Sequence, residues 1–223
     1  AYHTVHQEAQ AWMQEGIIDA IFPMIYYKDN HFYPFVCDWG EHSYGRHVVA
    51  GMGTYQLHEA EKNWRLEEVV RQLYIVRAHP SVAGAAQFRS QFVTGNVKGV
   101  YDLLQYLYPY PALVPPMSWI SDTPPSTPQG LKVMVDKYTI AFTWQAVEGV
   151  KYNIYSSETY PVDITNPANL CSTYCRESSY MVRTPSLVRP RHYAITAIDR
   201  YGNESLPLQW KNMTTILKQK ADK

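Results

Sequence analysis

Gly16-Ile17-Ile18-Asp19-Ala20-Ile21-Phe22-Pro23-Met24-Ile25-Tyr26-Tyr27-Lys28-Asp29 is an almost continuous apolar run that stops abruptly at aromatic, cationic and acidic side chains. A strand apolar on both faces belongs in a parallel sheet covered by helices, and in such sheets ligands bind outside the carboxyl ends of the strands. The run therefore predicts a buried parallel strand over residues 17–26. Its polar tip is the place to look for a site.

The flanks extend this reading. Residues 5–15 have helical spacing at Ala9, Trp12 and Met13, with Gly16 placed to terminate. After the strand comes a long polar loop. A second strand is expected over residues 48–55, a helix over 64–78 with apolar positions at Leu66, Val69, Val70, Leu73 and Val76, a third strand over 82–88, and a helix over 99–107. Strand, helix, strand, helix is the repeat of a parallel sheet or barrel. A closed eightfold barrel takes about 250 residues, so about 120 residues with three clear strands supply less than half of one. Either the chain is a piece of a longer protein, or another copy covers its open edges.

Asp122-Thr123-Pro124-Pro125-Ser126-Thr127-Pro128 replaces periodic hydrophobicity with prolines and short hydroxyl residues. Residues 122–129 thus read as a stiff linker between a first domain at 1–121 and a second at 130–217, with a tail at 218–223. The second domain has strand-like segments at 131–135, 139–144, 152–157, 179–183 and 192–199, the short spacing of a sandwich. Asp199-Arg200-Tyr201-Gly202-Asn203-Glu204-Ser205 reads as a turn-rich hairpin connection. The fold class expected is therefore α/β followed by all-β.

Composition narrows the function classes. Lysine plus arginine equal aspartate plus glutamate at 20 each, so the chain carries no electrostatic footprint for nucleic acid. The apolar runs are broken short of the roughly 20 residues a membrane span needs, and no basic-then-apolar leader opens the chain. The 19 tyrosines suit sugar- or protein-binding surfaces as well as cores. Cys37, Cys171 and Cys175 are too few for a disulfide framework. Cys171 and Cys175 close a small loop in an oxidising compartment or remain two free thiols. Cys37 lies beside Asp38, Glu41, His42 and His47, but the spacing is looser than zinc sites use, and a polar loop is the reading preferred. No metal and no cofactor is called for.

Two resemblances follow from these residues. The second domain resembles a fibronectin type III module in its proline-rich entry, Trp144, the run Tyr152-Asn153-Ile154-Tyr155, Leu187 and Pro190 ahead of Tyr193, and the ending from Ala197 to Ser205. The resemblance implies a tyrosine corner at Tyr193 and a core role for Trp144 rather than sugar stacking. The first domain is similar to the C-terminal half of the catalytic barrel of the glycosyl hydrolase-like family ten of bacterial envelope proteins. The match is carried by Trp12 with Gly16-Ile17-Ile18-Asp19, Pro23-Met24-Ile25-Tyr26, Gly51-Met52-Gly53-Thr54-Tyr55, Trp64 with its helix, and Gln87-Phe88-Arg89-Ser90. This resemblance implies a partial (β/α)8 barrel and an exported protein, periplasmic, secreted or at the cell surface. It also implies a carbohydrate substrate, either a polysaccharide or a peptidoglycan glycan strand. The alternative is a non-catalytic carbohydrate- or protein-binding module.

Glycoside hydrolysis generally needs two carboxyl groups across the scissile bond. Asp29 is the acidic residue immediately past a strand tip and is the catalytic candidate; the second strand ends Gly53-Thr54-Tyr55-Gln56, without a carboxylate. Tyr26, Tyr27 and Lys28 are candidates for the same substrate pocket, an aromatic face packing on a sugar ring and the ammonium bonding its hydroxyls or an anionic substituent. Tyr55, Gln56, Gln87 and Arg89 follow the other strands, and barrel geometry would gather all of these on one rim. Glu59 and Glu61 belong to the solvated approach to the next helix, and His3 and His6 to the surface. Open strand edges also suggest a homodimer.

Overall fold

The computed structural model describes residues 6–136, 138–183 and 191–212. His3, Leu187, Pro190 and the tail at 218–223 lie outside them. The chain divides into two compact units, Ala1–Pro109 and Tyr110–Lys223.

The first unit opens with α1 (Ala9–Gln14). It ends in a Schellman arrangement: Gly16, at φ +73°, donates its N–H to the Met13 carbonyl, and Ile17 donates to Trp12. The decisive run then forms two short strands, β1 (Ala20–Ile21) and β2 (Met24–Ile25), rather than one continuous strand over 17–26. Pro23 has no N–H to give a ladder, so the strand is interrupted there. Both pieces pair in parallel with β3 (His47–Met52): Ile21 opposite Val48, and Met24 opposite Gly51. On the other side of β3 lies β4 (Gly84–Gln87), also parallel, with Gly51 opposite Ala86.

Between β2 and β3 the expected polar loop is in fact α2 (Phe32–Glu41). Its polar side chains hid an apolar stripe at Phe32 and Val36, and Pro34 falls in the first turn, where its missing N–H costs no helical bond. Cys37, Asp38 and Glu41 therefore lie on a helix. Among the described residues no group of three potential ligands could hold a metal ion. Helix α3 (Leu66–Ala78) carries Glu67 and Glu68 in its first turn and Arg77 in its last, the signs its dipole favours. After β4 come α4 (Ser90–Thr94) and α5 (Val100–Leu107).

One face of the sheet is covered by helices. Ile25, Ala50 and Met52 pack with Phe32 and Val36 of α2, Val69, Leu73 and Val76 of α3, and Val100 of α5. The other face is not: Phe22 is 58% exposed and Met24 74%. The run is thus buried on one side only, a correction to the two-sided burial expected from its apolarity.

The second unit is a β-sandwich. One antiparallel sheet has the order β5-β6-β9, formed by β5 (Lys132–Val135), β6 (Thr139–Thr143) and β9 (Ser179–Arg183). The other has the order β11-β10-β7-β8, formed by β7 (Lys151–Ser157), β8 (Leu170–Cys175), β10 (His192–Ile198) and β11 (Leu208–Trp210). Ile140, Phe142, Trp144, Tyr152, Ile154, Tyr193, Ile195 and Ala197 fill the space between the sheets, a fibronectin type III-like arrangement. Trp144 is 6% exposed and belongs to this core. Strands β8 and β11 were not legible in the sequence. Both are edge strands; β11 is three residues long, and β8 is irregular, with register shifts against β7 and Tyr174 at φ +54°. Cys171 and Cys175, both on β8, are free thiols.

The boundary between units falls ahead of the proline-rich stretch because residues 116–121 are tied to the turn after β10. Met117 donates its N–H to the Tyr201 carbonyl at 2.7 Å, and the Asn203 amide donates to the Ser121 carbonyl at 2.9 Å. Asp199 organises that turn, accepting from the N–H groups of Tyr201 and Asn203 and from the Asn203 side chain. Burial alone would raise the Asp199 carboxyl, but these bonds outweigh it and hold it below the usual carboxylate range. A depressed folded-state pKa contributes stability that is complete above the unfolded value and is lost as pH falls through the folded one. The second unit should therefore lose stability as pH drops below about 4, and the deficit of Asp199→Asn relative to the native chain should shrink over the same range. Melting curves at stepped pH would check this, and a deficit constant with pH would contradict it.

Candidate functional site

Three parallel strands deliver their carboxyl ends to one edge of the sheet, and aromatic rings meet there. Tyr26 follows β2, Tyr55 follows β3 and Phe88 follows β4. The Tyr26 and Phe88 rings stack at 5.5 Å between centroids, and Tyr55 meets both edge-on at 5.8 and 5.7 Å. Phe92 and His58 extend the band, with Phe92 lying 6.5 Å from Tyr55 and 5.7 Å from His58. The Arg89 guanidinium sits over the Phe92 ring at 5.4 Å. Phe88 is 47% exposed, so the cluster presents a ring to solvent instead of closing over a core.

The strand exits hold this platform. Phe88 donates its N–H to the Met52 carbonyl, and Tyr55 donates to the Phe88 carbonyl, both at 2.9 Å. Gly53 allows the close approach of Tyr26, since a Cβ there would lie 3.2 Å from that of Tyr26. Gln87 bonds inward, accepting from the Thr54 hydroxyl and donating to the Met52 sulfur. Gln56 is 2% exposed and donates to the Tyr55 hydroxyl at 2.9 Å, but its buried Oε1 has no hydrogen-bond partner. An unpaired buried acceptor is costly to the fold. Burial, aided by the neighbouring Tyr55, pushes the Tyr26 phenol up, so it stays neutral and able both to donate and to accept at neutral pH.

The candidate residues divide into two groups. Tyr26, Tyr55, Gln56, Gln87 and Arg89 gather at the platform. Tyr27, Lys28 and Asp29 turn instead toward the helical layer: Tyr27 stacks on Phe35 at 4.9 Å, and Lys28 and Asp29 form an exposed ion pair at 3.5 Å. That segment is clamped by α3. Gln72 donates to the Tyr27 carbonyl, Arg71 to the Asp29 carbonyl, and the Asp29 N–H donates to the Glu68 carboxylate. Asp29 lines a cleft of about 500 Å³ with Lys28, Lys62, Trp64, Arg65 and Glu68. Glu59 and Glu61 are exposed on the turn after β3. Phe88, Phe92 and His58 join the platform in addition to the residues expected from the sequence. Phe88 was detectable as the first residue past a strand tip, whereas Phe92 and His58 reach the band only through tertiary packing.

No known family model matches this chain. It is 29% identical over 220 residues to the glycosyl hydrolase YngK of Bacillus subtilis, an alignment covering 92% of this chain and 43% of that protein. The chain thus spans less than half the length of this curated relative. Among solved structures, a Fn3-like protein from Clostridium thermocellum is 23% identical, with a TM-score of 0.32, covering 38% of this chain and 86% of that one. A fibronectin type III domain from human fibronectin type III domain containing protein 3 is 15% identical, with a TM-score of 0.29, covering 40% and 87%. Among the described residues no helix is long and apolar enough to cross a membrane.

Proposed function

We propose that this chain is part of a glycoside hydrolase, that its platform forms one wall of the substrate site, and that the chain alone is incomplete for catalysis. The observation that carries the reading is the Tyr26, Tyr55 and Phe88 cluster at the carboxyl ends of parallel strands, where such folds place their ligands and where an exposed ring can pack on a sugar face. Distant similarity to a protein named as a glycosyl hydrolase supports the same class. The substrate proposed is a polysaccharide or a peptidoglycan glycan strand, met outside the cytoplasm.

Two features support incompleteness. The platform residues include no carboxylate, whereas hydrolysis takes a pair. The uncovered sheet face, where Met24, Gly51 and Ala86 form one row with Phe22 nearby, has the large and small apolar residues of a barrel interior. Among the described residues strands β2 and β4 each pair on one side only, and further βα units of a longer protein would continue the sheet; in the isolated chain a second copy would cover the same edges.

The chain by itself should release no reducing ends from polysaccharide or glycan strands, and robust turnover would show that the catalytic pair lies within it. In calorimetric titration with soluble oligosaccharides, Tyr26→Ala and Phe88→Ala should each weaken binding by about tenfold, the scale of one aromatic contact. Unchanged affinity in both variants would remove the platform from the site.

A further inference from the structure

The geometry points to a second subsite, in the cleft between the loops after β2 and β3, that binds a sugar residue carrying one carboxylate. The inference rests on the carbohydrate reading of the platform and adds the charge of the substrate to it. The cleft, of about 500 Å³, is lined by Lys28 and Asp29 from the loop after β2, by Lys62, Trp64 and Arg65 from the loop after β3, and by Glu67, Glu68 and Arg71 of α3. Both loops leave the carboxyl ends of their strands, so cleft and platform share one rim. Tyr26 and Asp29 are three residues apart, a span of at most about 10 Å of extended chain. Gln56 joins the two places directly, its carbonyl accepting the Trp64 N–H at 2.8 Å while its side chain bonds Tyr55.

The charges in the cleft are almost all spent on one another. Glu68 is bonded by Arg71, by the Gln72 amide and by the Asp29 N–H. Arg65 binds Glu67 at 2.8 Å, and Lys28 pairs with Asp29. Three carboxylates are thereby matched by three cations, and Lys62 remains, with no ion pair or hydrogen bond among the described residues. The second unspent group is Trp64: the residue is 5% exposed, lines the cleft, and its indole N–H is buried without an acceptor. One uncommitted cation and one uncommitted neutral donor ask for acceptors, one of them charged. A neutral sugar offers no charge, and a polyanion would meet the three carboxylates. A single carboxylate on a ring with free hydroxyls fits both requirements.

The test is a two-dimensional NMR titration of the whole chain with glucuronate and, at matched concentrations, with glucose, following the Trp64 indole N–H and the Tyr26 and Phe88 ring signals. Glucuronate should shift the Trp64 signal with an apparent affinity about fivefold above that for glucose, the upper range for one exposed ion pair, and added salt should erase the difference. Lys62→Ala should abolish the preference and Lys62→Arg should keep it. Equal responses to the two sugars, no Trp64 response to either, or a preference that survives Lys62→Ala overturns the subsite. The platform is read separately. Its ring signals should respond to both sugars, and silence there counts against the carbohydrate reading whatever Trp64 does.

Discussion

Replacing Gly51 with alanine should destabilise the parallel-sheet unit by about 3 kcal/mol, the upper end for forcing atoms into a packed site. A Cβ at this position would lie 2.8 Å from the Pro23 carbonyl oxygen, a backbone atom that cannot swing away as a side chain can. The same carbonyl accepts the Gly51 N–H at 2.9 Å, so moving it apart also loosens the bond that bridges the break between β1 and β2. Gly84, one strand away, is the control: nothing lies within 4 Å of a Cβ built there and its φ is ordinary. Gly84→Ala should be neutral or stabilising by up to about 1 kcal/mol through the unfolded chain. Hydrogen exchange of the amides at 48–52 under native conditions reports on this unit by itself. Similar exchange in the two variants would contradict the steric argument.

Glu204→Ala should cost the sandwich about 3 kcal/mol, because three buried donors lose one acceptor. Its Oε1 receives the Asn153 amide at 2.9 Å, the Tyr155 hydroxyl at 2.7 Å and the Thr196 hydroxyl, from β7 and β10 at the centre of the four-stranded sheet. Asn153 and Thr196 are fully buried and Tyr155 is 2% exposed, so water does not replace the lost partner cheaply. Burial, reinforced by the bond to Glu204, pushes the Tyr155 phenol far up, which keeps it protonated as a donor across the working range. Glu204→Gln retains an acceptor oxygen and should lose about half as much. Tyr155→Phe removes one donor and leaves the other two satisfied, for a cost of about 1 kcal/mol. Chemical denaturation followed through Trp144 and Trp210 would rank the three variants. Glu204→Ala no worse than Tyr155→Phe would mean that the network contributes little.

The elements that the sequence revealed are those whose signal is local. The stop at Gly16 needs only a residue at ease with positive φ, and α3 announces itself through apolar spacing from Leu66 to Val76. The alternation in β6 reports a half-buried antiparallel strand directly, whereas β10, whose sequence also alternates, is buried along nearly its whole length as a central strand. The misses have local causes too. Helix α2 is masked by Pro34 and Gly40, both helix-unfriendly on paper; the first falls in the opening turn, and the second lets the helix approach His79, whose ring a Cβ there would strike. Strands β8 and β11 lie at sheet edges, where burial on one face no longer enforces a period of two.

For the site, the sequence supplied the address without the wiring. Position past a strand tip was enough to pick out Tyr26, Tyr55, Gln56, Gln87 and Arg89. It could not separate them from Tyr27, Lys28 and Asp29, because neighbouring residues in an extended segment face opposite ways. That separation is made by Glu68, Arg71 and Gln72, about 40 residues further along the chain, whose bonds turn the segment toward the helices.

The run from Gly16 to Asp29 by itself determined a parallel-sheet unit with its polar end at the ligand-bearing edge, since apolarity, proline and glycine act on their own stretch of chain. Only the tertiary structure decided that this run is covered on one face and bare on the other. It also decided that Tyr26 joins an aromatic platform while Asp29 joins a charged cleft. Those outcomes depend on which distant groups arrive to fill a face or accept a hydrogen bond, and no local pattern encodes that arrival.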